Sequence, residues 1–163
     1  MDLSNEDLYY RRLNQRTGLG ILGGLLGAVV GAAIWAAVTV ITDYQIGWMA
    51  IGVGFLVGKS VCFFGKGVDS HLRIIGALLS LFGCLLGNLL TTLFFLSNFE
   101  GVSFLEVLEV INIEVVVFIF KETFVPIDLL FYTLAIFEGY KVSVKTVSSK
   151  NVEESTELSE NQA

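Results

Sequence analysis

Three long apolar runs dominate the hydrophobic pattern of this chain. The first, residues 18–42, contains no charged side chain, and two further runs cover residues 46–64 and 74–97. A helix of about 20 residues, rising about 1.5 Å per residue, crosses the ~30 Å hydrocarbon core of a bilayer. The pattern therefore predicts helices that span a membrane rather than the buried core of a soluble domain.

Small residues recur at every fourth position within these runs, a spacing that places them in rows on one face of a helix. The predicted packing glycines are Gly23, Gly27 and Gly31 in the first run, Gly54 and Gly58 in the second, and Gly83 and Gly87 in the third. Beside the first of these rows, the first run carries a second row of small residues, Gly20, Gly24, Ala28, Ala32 and Ala36. In lipid, such rows let a neighbouring backbone approach closely. We therefore expect a compact bundle, in which the row of the second run faces the first helix.

A fourth span is predicted over residues 126–144. It begins at Pro126, a residue suited to the first turn of a helix. Because this segment is rich in aromatic residues and lacks a row of small ones, we expect it on the outside of the bundle. The fold class predicted from the pattern is an all-α bundle of four transmembrane helices.

Residues 102–122, between the third and fourth spans, combine apolar side chains with regularly spaced glutamates. A charged group in the middle of a bilayer costs about 2.5–3.5 kcal/mol on insertion scales. An amphipathic helix that lies in the membrane interface, with its carboxylates in water, therefore fits this segment. A re-entrant segment is the alternative.

Charge is segregated along the chain, which a net charge of −6 conceals. Basic residues occur in the N-terminal segment, 1–17, and in the link at 65–73, whereas the link at 43–45 has none. The positive-inside rule then places both termini and the 65–73 link in the cytoplasm. We expect residues 18–145 to form the membrane domain and 146–163, which are rich in serine and glutamate, to form a disordered acidic cytoplasmic tail.

Two glycine patterns are similar to nucleotide-binding motifs but lack their structural context. Gly18, Gly20 and Gly23 match GxGxxG, yet no strand precedes them and a membrane span follows. In GVGFLVGKS, Val53 occupies the position where a phosphate-binding loop needs its first glycine. His71 is the only histidine, which argues against a histidine-based metal site. We expect neither an enzymatic activity nor a cofactor.

Four polar side chains within the predicted spans are candidates for function, because polar groups are costly in lipid. They are Lys59, Asn88, Asp128 and Glu138. Lys59 either reaches the headgroups by snorkelling or pairs with Glu138. Asn88 either makes a hydrogen bond between helices or contacts a ligand. Asp128 lies in the first turn after Pro126, where the helix dipole favours a carboxylate.

Several segments resemble a group of small bacterial membrane proteins of uncharacterised function. The resemblance is carried by DYQIGWMAIGVGFLVGK (43–59), FGKGVD (64–69), GCLLGNLL (83–90) and PIDLLFYTLAIFEGYK (126–141). It implies a four-span protein of the bacterial cytoplasmic membrane and brings no activity with it. Some members of the group carry an additional zinc-ribbon segment, which is not expected here because this chain has no CxxC pair.

The sequence favours a multi-pass membrane protein that is a non-enzymatic scaffold or accessory subunit of a membrane assembly. Its small-residue faces would hold the bundle together or mediate self-association. The alternative is a small transporter or channel with a polar path lined by Asn88, Lys59, Asp128 or Glu138. The expected partners are membrane lipids, with a second copy of the chain or another membrane protein, and no nucleic acid is expected.

Overall fold

The computed structural model describes residues 16–44, 47–66 and 70–144. Every regular element in these ranges is a helix. The helices are α1 (Thr17–Thr42), α2 (Trp48–Gly65), α3 (Ser70–Glu100), α4 (Phe104–Val110), α5 (Ile113–Thr123) and α6 (Pro126–Val142). The predicted tail, and the predicted N-terminal segment up to residue 15, lie outside the described residues.

Helices α1, α2 and α3 are long and apolar enough to cross a membrane, with 26, 18 and 31 residues respectively. They coincide with the three long apolar runs, although α3 begins at Ser70, inside the predicted 65–73 link. Three such helices are compatible with a membrane protein. The fourth predicted span is present as α6, which has 17 residues. These would rise about 25 Å, so a fourth crossing remains a prediction.

The α2–α3 pair lies at the centre of the arrangement. Helix α1 packs against α2 and α3 from one side, and α6 packs against the same two helices, while α1 and α6 are not in contact within the described residues. Contacts between Ala28 and Gly83 and between Ala32 and Gly87 show that α1 and α3 run in the same direction. Helices α2 and α6 run in the opposite direction.

The glycine row of α1 lies against α2. A methyl group added at Gly27 would lie 3.3 Å from the Cα atom of Val57. The row of α3 formed by Gly83 and Gly87 lies against α1, and a methyl group at Gly83 would lie 3.3 Å from the Cα atom of Ala28. Helix α1 therefore approaches both α2 and α3 at backbone distance, as small residues permit.

The row on α2 has a different neighbour from the one predicted. Gly54 and Gly58 face α6 rather than α1, and a methyl group at Gly54 would lie 2.6 Å from the carbonyl oxygen of Ala135. The side of α2 that meets α1 carries larger residues, including Val53 and Val57. Because α1 already contributes glycines to that contact, side chains from α2 fill the space. The prediction that the α2 row faces α1 is therefore wrong.

Helix α6 is also more central than predicted. Ala135 and Gly139 on this helix, with Ser143 directly after its last residue, form an i+4 row of small, buried residues. Gly139 lies against Gly76 and Ser80 of α3, and the same row meets the glycines of α2. The aromatic residues Phe137 and Tyr140 point outward instead. The expectation of an outer helix without a small-residue row was wrong, since the row was present among the aromatic residues.

The predicted helix over 102–122 is divided into α4 and α5. Ser103 caps α4 by accepting a hydrogen bond from the backbone N–H of Leu105 at 3.4 Å. Asn112 caps α5 by accepting one from the N–H of Val115 at 2.9 Å. Asn112 itself has an extended backbone, so the first helix ends before it and a new one begins. Of the helices in the described ranges, α3 is the one that both short helices contact.

The two ends of the bundle carry opposite charge. Among the residues that the structure describes, the helix directions place five lysines and arginines at one end: Arg16, Lys59, Lys66, Arg73 and Lys141. Within the described residues, the other end carries the acidic residues Asp43, Glu100, Glu106, Glu109, Glu114, Glu122 and Asp128, with Lys121. We refer to these as the basic end and the acidic end. Glu138 is an acidic residue on the basic side.

Candidate functional site

The four candidate polar residues fall into two separate groups in the structure. Asn88 and Asp128 lie in the half of the bundle nearer the acidic end, whereas Lys59 and Glu138 lie nearer the basic end. No single polar path therefore brings all four together.

Asn88 makes a hydrogen bond between two helices. Its side-chain Nδ2 donates to the phenolic oxygen of Tyr132 at 3.1 Å. Both residues are 7% exposed, so the bond lies within the bundle. It connects α3 to α6 and pairs two polar groups that would be costly to bury alone. Of the two interpretations of Asn88, a hydrogen bond between helices or contact with a ligand, the structure shows the hydrogen bond.

Asp128 is engaged by the backbone of its own helix. It is 4% exposed, and its Oδ2 accepts a hydrogen bond from the N–H of Val125 at 3.0 Å. The carboxylate therefore satisfies one of the N–H groups left unpaired at the start of α6. The helix dipole favours the same charge at this position. Asp128 lies one turn before Tyr132, so the two polar groups share a face of α6.

Trp35 and Thr39 lie one turn apart in the interior on α1, at 1% and 3% exposure. Trp35 packs against Gly87, where an added methyl group would lie 3.1 Å from its Cβ. The indole N–H and the Thr39 hydroxyl, together with Nε of Arg73, are the buried polar atoms that lack a hydrogen-bond partner in the described part of the chain.

Lys59 and Glu138 form no ion pair among the described residues. Lys59 is exposed, and its Nζ lies 5.6 Å from the ring centroid of Phe55. Glu138 is half-buried beside Gly54, where an added methyl group would lie 3.1 Å from the Glu138 Cβ. An exposed ammonium group extended along its own helix fits the snorkelling interpretation.

Lys59 instead shares a groove with a second lysine. The groove lies between α2 and α6 and has a volume of about 550 Å³. It is lined by Phe55, Lys59, Cys62, Phe63, Lys141, Val142 and Val144. Cys62 and Cys84 are both free thiols. Of the two, only Cys62 lines this groove, because Cys84 is buried inside the bundle.

Sequence reasoning missed Tyr132 and Lys141 as members of these two groups. A signal for Lys141 was present, since the pattern Phe-x-x-x-Lys occurs on α2 at 55–59 and on α6 at 137–141. Tyr132 gave no comparable signal, because the aromatic residues of this segment differ in the side they face: Phe137 and Tyr140 are exposed, whereas Phe131 packs against the core.

The described residues contain no group of three histidine, cysteine, aspartate or glutamate side chains able to hold a metal ion. The arrangement offers hydrogen bonding inside the bundle and positive charge at one end. No family model matches this chain, and neither a curated protein nor a solved structure is significantly similar to it. The resemblance to small bacterial membrane proteins therefore stays a prediction.

Proposed function

We propose that this chain is a multi-pass protein of the bacterial inner membrane and serves as a non-enzymatic scaffold or accessory subunit. The observation that carries the proposal is that the buried candidate residues make structural hydrogen bonds. Asn88 bonds to Tyr132 across two helices, and Asp128 bonds to the start of its own helix. Side chains that are hydrogen-bonded in this way stabilise a fixed arrangement of helices and are not positioned to bind a substrate.

Close packing of the helices supports the same proposal. The glycine rows of α1, α2 and α3 all meet neighbouring helices within the chain, several of them at backbone distance. A transported solute would need space between these helices. The rows are already covered within one copy, so they support the bundle itself more than self-association. A partner would then meet the outward surface or the two ends.

A fourth crossing by α6 is part of this proposal. The small-residue row of α6 packs on two helices that are each apolar enough to span a membrane. Its outward side chains include Ile127, Leu129 and Leu130, which are 57%, 63% and 57% exposed. A bilayer accommodates a short span by local thinning. If α6 spans the membrane, the chain crosses it four times and both termini lie on the same side. The positive-inside rule places the basic end, and therefore both termini, in the cytoplasm.

Native mass spectrometry of the chain, extracted with surrounding lipid and without overexpression, tests this proposal. A second membrane protein present in fixed stoichiometry supports the accessory-subunit role. Gly27→Leu is expected to abolish that complex, because a methyl group alone would already lie 2.7 Å from the Ser60 hydroxyl. Asn88→Leu and Glu138→Gln are expected to preserve it.

The transporter alternative makes the opposite prediction for Asn88→Leu. If the wild-type chain carries a solute flux across proteoliposomes, and Asn88→Leu abolishes the flux while the assembly stays intact, the scaffold proposal is overturned. A flux that is absent from wild-type vesicles, combined with a stoichiometric protein partner, supports it.

A further inference from the structure

Two matching pairs of phenylalanine and lysine lie on α2 and α6 near the basic end. The ammonium group of Lys59 lies 5.6 Å from the ring centroid of Phe55, and that of Lys141 lies 5.9 Å from the ring centroid of Phe137. In each pair the lysine follows the phenylalanine by four residues, so both pairs lie along the helix surface. The two helices run in the same direction.

The helix contacts place the two lysines at the same level. Gly54 packs on Ala135, and Gly58 packs on Gly139 and Val142 one turn further along. Lys59 and Lys141 therefore flank this crossing of the two helices. The groove of about 550 Å³ lies between them and is open to the outside of the bundle.

We propose that this groove binds the headgroup of an anionic phospholipid. The groove lining contains two ammonium groups and no carboxylate. Two exposed lysines beside a membrane attract anionic lipids. A phosphate held between two ammonium groups would also reduce the repulsion between them.

The aromatic side chains favour a lipid over a soluble anion. Phe55 lines the groove one turn from Lys59 towards the middle of the bundle, and it is 50% exposed. Phe137 lies one turn from Lys141 in the same direction and is 58% exposed. These rings would contact the acyl chains of a lipid whose phosphate lies at the level of the lysines. A free phosphate ion would leave both rings uncovered.

The inference rests on the proposed location of the chain in a membrane, with the basic end at the cytoplasmic leaflet. Its test uses the full chain, purified in a neutral detergent and titrated by native mass spectrometry with phosphatidylglycerol or with phosphatidylcholine of the same acyl chains. We expect wild-type protein to retain phosphatidylglycerol in preference. The double variant Lys59→Gln with Lys141→Gln should lose about tenfold or more in affinity for it.

Lys66→Gln is the matched control, because Lys66 is an exposed basic residue at the same end that does not line the groove. If the control and the double variant lost equal affinity for phosphatidylglycerol, the proposal would be overturned. Equal binding of phosphatidylcholine, or displacement of the lipid by millimolar inorganic phosphate, would also overturn it. If cysteine labelling showed that α6 does not cross the membrane while the lipid preference persisted, the fourth span would fail and the lipid site would stand.

Discussion

The side-chain nitrogen of Asn88 lies 3.1 Å from the phenolic oxygen of Tyr132 and donates a hydrogen bond to it. The two residues are 44 positions apart in the chain, on α3 and α6. The bond therefore fixes the position of the last helix relative to the third. Both groups are almost fully buried, so removing either partner leaves the other as a buried polar group without this hydrogen bond, which costs stability.

Tyr132→Phe should lower the free energy of unfolding by about 0.5–1.5 kcal/mol, because it removes the hydroxyl and preserves the ring. Equilibrium unfolding in mixed micelles measures this change. The same substitution at the exposed Tyr140 is the control and should have little effect. In a double-mutant cycle with Asn88→Leu, a coupling energy near zero would show that the hydrogen bond does not contribute to stability.

Two glycines on α2 allow the effect of close packing on stability to be measured separately from the effect of helix propensity. A methyl group at Gly54 would lie 2.6 Å from the carbonyl oxygen of Ala135, whereas Gly52 has nothing within 4 Å of the same position. Gly54→Ala should destabilise the protein by about 1–3 kcal/mol, since backbone has to move. Gly52→Ala should be neutral or stabilise it by up to about 1 kcal/mol.

Thermal unfolding in detergent, followed by size-exclusion chromatography, distinguishes these two variants. A lower melting temperature for Gly54→Ala alone is the expected result. Equal melting temperatures for the two variants would contradict the close contact between α2 and α6.

The sequence pattern predicted the three long helices well, because an uninterrupted apolar run has only one regular way to satisfy its backbone in lipid. It was less informative about neighbours. An i+4 row identifies a face of a helix but not the helix that covers it. The row of Gly54 and Gly58 therefore suggested α1, whereas Ala135 and Gly139 of α6 cover it.

The candidate polar residues were predictable one at a time but not as groups. Asn88 is conspicuous because it is an amide in an apolar run, and its interhelical bond was among the expectations. Tyr132 became identifiable only once the small residues of α6 fixed which side of that helix faces inward. The repeated Phe-x-x-x-Lys pattern marks Lys141, but its position beside Lys59 could not be predicted, because that position depends on α2 and α6 running in parallel.

Two substitutions of Asp128 test whether the hydrogen bond or the charge of its carboxylate stabilises the start of α6. Asp128→Ala should destabilise the protein by about 0.5–2 kcal/mol, since the Val125 N–H loses its acceptor. Asp128→Asn preserves an oxygen acceptor and should recover much of that stability. Chemical unfolding of both variants measures the difference. An asparagine variant as unstable as the alanine variant would mean that the charge, rather than the hydrogen bond, is needed.

The orientation of the bundle is tested by labelling single cysteines introduced in a background without Cys62 and Cys84. Asp43→Cys and His71→Cys lie at opposite ends, and both positions are exposed. In spheroplasts, an impermeant maleimide should label position 43 and should reach position 71 only after lysis. Labelling in the reverse order would invert the proposed orientation.

Crossing of the membrane by α6 is tested with one position on each side of it. Val125→Cys precedes the helix and Ser149→Cys follows it. If α6 spans, position 125 should react with the impermeant maleimide from outside, and position 149 should react only after lysis. Position 71 serves as the internal reference for the cytoplasmic side. Labelling of position 149 in intact spheroplasts would mean that α6 returns to the outer side. The chain would then have three crossings, and its C-terminus would lie outside the cytoplasm.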